Sequence, residues 1–142
     1  MFLGILCSLN FAIAQENYVT GQQRENAFTL FNQSQQAVLL IDTADFKGVK
    51  LVAKDLSEDF ERVSGKLARI DSSGSASPEM PIIIGTIGKS KLIDQLAENG
   101  KLDINNITGK WETFQTQIIN DPMPGIKQAL VIAGSDKRGT IY

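Results

Sequence analysis

Four places in the chain carry residues able to do chemistry. The 142 residues include no histidine, which excludes a Ser-His-Asp triad, a Cys-His dyad and a histidine-ligated metal within them. The single cysteine, Cys7, lies in the first apolar stretch. What remains is carboxylate, Lys, Arg and Tyr chemistry, and paired carboxylates are the tools of glycosidases. The densest carboxylates are Asp55, Asp59 and Glu61. They stand beside Lys54 and Arg62 on a stretch with helical periodicity, so they read as a solvated helix face without the desolvation that raises an acid's pKa.

The second place is Gly85-Thr86-Ile87-Gly88-Lys89-Ser90, which follows an apolar run, precedes a helical pattern and ends like a phosphate-binding loop. Its spacing is wrong for that task. A P-loop has four residues between its glycines so that successive N–H groups wrap the phosphates, whereas Gly85 and Gly88 enclose two. The glycines are expected to shape a turn and Ser90 to cap a helix. The third place is Trp111, the only tryptophan. An indole face can stack on a sugar ring, but a single Trp in a strand more often packs in a core or domain interface.

The fourth is Asp136-Lys137-Arg138, the one compact polar cluster at a strand end and helix start. Such a junction can bind an anion through the helix N-terminus, or it can be a cap with surface charges beside it. Nothing in the composition or motifs asks for a cofactor or a metal. Fourteen Lys and Arg against sixteen Asp and Glu leave a net charge of −2, so there is no basic footprint for nucleic acid or an anionic membrane.

The elements that must position these residues follow from periodicity. A composition 42% hydrophobic and 21% charged is that of a globular domain. Residues 1–14, MFLGILCSLNFAIA, are uncharged and apolar and end in a small-x-small pattern, and so read as a signal peptide; export would leave a mature chain without cysteine. The expected location is therefore secreted or periplasmic, with no membrane association after cleavage. Residues 15–27 are a polar lead-in.

Phe28–Phe31 and Ala37–Ile41 suggest two short strands with a polar connection. Val49, Val52, Leu56, Phe60, Val63 and Leu67, with Ala53, form one apolar helix face, with Lys54–Glu58 and Glu58–Arg62 pairs outside. After a Ser/Gly loop at 71–78 come a buried strand at Pro81–Ile84 and a helix at Ser90–Ala97 closed by Asn99-Gly100. Gly109–Ile119 alternates like a half-exposed strand, Asn120–Gly125 reads as a turn and loop, and Ala129–Ala133 is a strand covered on both faces. Gly134 ends that strand, and Ser135 or Asp136 caps a helix with a single turn's worth of residues after it. The alternation predicts an α/β layered domain over 28–142, with a mixed sheet and flanking helices, incomplete at its C-terminal helix because a lone turn buries too little to offset nucleation.

The run Ala129–Tyr142, ALVIAGSDKRGTIY, preceded by Gly109-Lys110-Trp111-Glu112 and Ile82–Ser90, IIIGTIGKS, resembles the N-terminal region of glycoside hydrolase family 115, the xylan α-1,2-glucuronidases. Asp59-Phe60-Glu61-Arg62-Val63-Ser64-Gly65 is also similar to that family, and the likeness covers 28–142. The resemblance implies a parent enzyme that removes glucuronic acid or its 4-O-methyl ether from glucuronoxylan or derived oligosaccharides with inversion, using two carboxylates. It implies that those carboxylates lie on a (β/α)-barrel following this accessory domain, leaving the fragment alone inactive. Under it, Asp136, Lys137 and Arg138 are candidates to face the barrel, as a domain junction or at the substrate's edge. The alternative is a non-catalytic structural or carbohydrate-binding domain of a secreted polysaccharide-degrading protein.

Overall fold

The computed structural model describes residues 19–22, 27–73 and 78–142. The expected signal peptide at 1–14, most of the lead-in and the centre of the Ser/Gly loop lie outside the described residues. The elements run β1 (Val38–Ile41), α1 (Lys47–Ser64), β2 (Arg69–Asp71), β3 (Pro81–Thr86), α2 (Lys91–Glu98), β4 (Phe114–Met123), β5 (Ile126–Gly134) and α3 (Lys137–Ile141). One five-stranded sheet has the order β2-β1-β3-β5-β4. β2, β1, β3 and β5 are parallel, and β4 pairs antiparallel with β5. The expected mixed sheet with flanking helices is the observed fold.

The central strands are continuous apolar runs because both faces are covered. On one face Ile93 and Leu96 of α2, with Leu102 and Ile107 after it, pack on Leu40, Ile83 and Val131. On the other, Val49, Ala53 and Phe60 of α1 pack on Leu39, Ile41, Ile82 and Ile84. α1 ends at Gly65 in the left-handed region, φ 76°, whose N–H donates to the Glu61 carbonyl. Lys54–Glu58 and Glu58–Arg62 form at 3.7 Å each on its exposed side.

The structure departs from the sequence expectations at the sheet's margins. Phe28–Phe31 is no strand: it makes one bridge, Phe31 to Gln36, because β2 and β3 occupy both edges of β1. Phe28 and Leu30 instead pack on the α1 face. Val63 and Leu67 do not face inward; they are 74% and 56% exposed. An 18-residue helix is about 27 Å long and overhangs a four-residue strand, and Leu67 follows the turn at Gly65.

The strand expected at Gly109–Ile119 begins only at Phe114, since Gly109 and Glu112 adopt φ of 73° and 51° and turn the chain. It then runs through the residues read as a loop. A bulge between Asn120 and Met123, with Asp121 at φ 49°, takes up Pro122 on this edge strand, and Pro124-Gly125 alone makes the turn. β2 escaped notice because three residues, two of them exposed, carry no pattern.

Candidate functional site

In a parallel sheet, side chains that act together gather at the carboxyl ends of the strands, above all where the strand order reverses. Here that point lies between β1 and β3. Asp45, buried just past β1, accepts the Thr86 N–H at 2.8 Å and the Phe46 N–H at 2.7 Å. Asp42 accepts the Lys91 N–H at 2.8 Å. Thr86 and Thr140 hydroxyls meet at 2.7 Å; the Thr140 proton goes to the Asp136 carbonyl at 2.9 Å, so Thr86 is the donor to Thr140. The crevice is thus closed by internal hydrogen bonds that tie β1, β3, α2 and α3 together.

The loop like a phosphate-binding motif is committed in the same way. Ser90 and Lys89 amides bond the Thr86 carbonyl, the Gly88 N–H donates to Asp94 at 2.8 Å, and Ser90 Oγ caps Ile93 at 3.4 Å. Two carboxylates, Asp42 and Asp94, already occupy N–H groups that a phosphate would need. Lys89 lies with its ammonium 5.5 Å from the Phe46 ring centroid. The turn-and-cap reading is the one observed.

The remaining cluster is at the end of β5. Asp136 caps α3 through the Gly139 N–H at 2.7 Å, and its other oxygen accepts the Glu112 N–H at 3.0 Å. These two amides, Glu112 first, hold its carboxyl below the usual carboxylate range; Arg138 adds to the effect and desolvation opposes it. Ser135, the other capping candidate, instead joins Thr113: its N–H donates to the Thr113 carbonyl at 2.8 Å and its Oγ accepts the Thr113 N–H at 3.1 Å. Arg138 pairs with Glu112 at 2.9 Å and lies 5.9 Å over the Tyr142 ring. Lys137 is exposed.

The structure therefore brings Asp136 and Arg138 together around Glu112, a residue the sequence reading did not single out. Glu112 sits in the left-handed region that non-glycine residues rarely adopt, held there by the bonds to its amide and carboxylate. Trp111, beside it, lies outside any strand and is 76% exposed, so it is no part of this domain's core. Asp55 and Asp59 are exposed on α1, and Asp59 pairs with Arg62. Among the described residues no group of three or more His, Cys, Asp or Glu is placed to hold a metal, and no helix is long and apolar enough to cross a membrane.

No family model matches the chain, and no curated protein matches it either. Among solved structures it is similar to a family GH115 4-O-methyl-α-glucuronidase with specificity for decorated arabinogalactans: 32% identity, TM-score 0.56, over 75% of this chain. The match covers 12% of that enzyme's chain, so this chain corresponds to a small part of it. The likeness relates the domain to a glycoside hydrolase.

Proposed function

We propose that this domain is the N-terminal accessory part of an exported, inverting α-glucuronidase of glycoside hydrolase family 115. The observation that carries the reading is the 32% identity to a 4-O-methyl-α-glucuronidase over three quarters of the chain, joined to a shared fold. The carboxylates at hand do not suit the reaction. A general acid needs a raised pKa, whereas both Asp136 oxygens accept backbone N–H bonds that lower its own, and Glu112 is paired with Arg138. The catalytic pair is therefore assigned to a barrel domain elsewhere in the parent, where one carboxylic acid protonates the leaving oxygen and a carboxylate activates water on the opposite face.

In this reading Asp136 and Arg138 brace the Glu112 turn and so present Trp111 and Lys137 at the junction with the catalytic domain. The substrate group is glucuronic acid or its 4-O-methyl ether. The sequence resemblance favours glucuronoxylan as the backbone; the matched enzyme's specificity is for decorated arabinogalactans. Incubating the parent enzyme with each polysaccharide and following the released uronic acid by NMR decides both points. Release with inverted anomeric configuration is expected, and no release from either overturns the proposal. Arg138→Ala in the parent should lower thermal stability or kcat/KM; unchanged values for both remove Arg138 from the junction.

The 76% exposed Trp111 favours a second reading, a carbohydrate-binding module. It predicts retention of the 142-residue chain on xylan and loss of retention in Trp111→Ala.

A further inference from the structure

The two faces of the sheet are not equally covered. On the α2 face the side chains are buried from β1 to β5. On the α1 face, Ile82 and Ile84 of β3 are buried, Leu130 and Ile132 of β5 only partly, and cover ends over β4. Register places Thr116 opposite Ile132 and Ile118 opposite Leu130, so these four share that face with Phe114. Phe114 is 50% exposed and Ile118 37%. A groove of about 310 Å³ runs here, walled by Val52 and Leu56 of α1, Phe114 and Ile132 of the sheet, Ile141 of α3 and Tyr142 just after it. Asp55 and Asp59 stand on its α1 lip.

The α3 wall is fixed in place. A Cβ on Gly134 would lie 2.1 Å from Thr140 Oγ1, and one on Gly139 would lie 2.4 Å from the Thr113 carbonyl oxygen, so α3 is seated directly on the β5 end and on the turn before β4. Ile141 already packs on the α1-face cluster. The parallel strands of such a sheet are covered by helices on both faces, and a half-apolar strand face beside a helical wall has the shape to seat a further helix.

We infer that this groove is the docking site of an amphipathic helix belonging to the same parent polypeptide, packed beside α1 across β5 and β4. Two observations select that occupant. The matched enzyme is far longer, since the likeness accounts for 12% of its chain, so further polypeptide is at hand. Asp59 on the lip is already paired with Arg62, but Asp55 beside it has no ion pair among the described residues and asks for a helix with an apolar stripe flanked by Lys or Arg on the side toward α1. The inference rests on the existence of a longer parent and not on its activity. The glucuronidase reading fails through absent uronic acid release, this one through an exposed Phe114, and either can fail alone.

The test compares the 142-residue chain with the parent enzyme. Hydroxyl-radical footprinting should label Phe114 and Ile118 strongly in the short chain and leave them protected in the parent. Amides of Lys137–Ile141 should exchange at least about 100-fold more slowly in the parent. Ile118→Lys should leave the melting temperature of the short chain unchanged and lower that of the parent. Footprinting in the parent decides the matter even where the short chain does not fold: strong labelling of Phe114 there overturns the inference. A groove filled by a second copy overturns it too, shown by concentration-dependent dimerisation of the parent that Ile118→Lys abolishes.

Discussion

Asp136 shows how one side chain joins distant parts of a chain. Its two oxygens bond the N–H groups of Gly139, three residues on, and Glu112, 24 residues back. Its folded pKa lies below the ordinary value, so the stability it contributes is present in full above about pH 4 and is lost as pH falls through the lowered folded value. Asp71 has the same sign: the Ser73 hydroxyl and then the Ser73 N–H lower its pKa, with Arg69 assisting. Acid titration below pH 4, followed by amide exchange at Glu112 and Gly139, should show the α3 cap and the Glu112 turn loosening together. Asp136→Ala should bring that loosening to neutral pH and remove its acid dependence, while Asp136→Asn should keep the cap. Exchange at Glu112 unaffected by Asp136→Ala would show that the turn stands without it. A cap was legible from residue type as one of two uses for this junction, with Ser135 and Asp136 both candidates for it. The Asp136 bond to Glu112 was not, because a contact across 24 residues and a left-handed Glu leave no periodic trace.

At the scale of elements, the β3–α2 turn shows why a motif must be judged by spacing. Gly85 is required for close approach: a Cβ there would meet Ser90 Cβ at 2.4 Å and Ile93 Cγ1 at 2.8 Å, the buried cap and first turn of α2. Gly88 serves conformation instead, with φ 72° and nothing within 4 Å of a Cβ. Gly85→Ala should therefore cost about 1–3 kcal/mol through overpacking. Gly88→Ala should cost about 1–2 kcal/mol, the usual left-handed penalty. In urea denaturation Gly85→Ala should also disturb the chemical shifts of Ile93 and its neighbours, and Gly88→Ala should leave them in place. Equal and local effects would mean that the turn relaxes away from Ser90. The long periodic element, α1, and the two buried strands were readable because burial on one or two faces writes a period into the chain. The edges were not. β2 has three residues, β4 starts late because Glu112 turns the backbone, and 28–31 lost its expected strand because the sheet had no edge to offer beside β1.

The molecule as a whole is a sheet with one covered face and one partly open face, and that difference can be measured. Ile83 and Ile132 lie on neighbouring strands one rung apart in the same ladder and point to opposite faces. Ile83 is fully buried under α2, so truncation leaves an enclosed cavity and should cost about 2–5 kcal/mol. Ile132 is only partly buried, at the wall of the open groove, and its surroundings there already meet solvent. In the 142-residue chain Ile132→Ala should cost less, on the order of 1 kcal/mol, since only part of the side chain leaves water on folding. In the parent enzyme, with the groove covered, the two costs should converge. Parallel urea titrations of both variants in both chains give the four values needed. A difference between Ile83 and Ile132 that persists in the parent would mean that the open face is native surface, and the apolar exposure at Phe114 would then call for a partner outside the polypeptide.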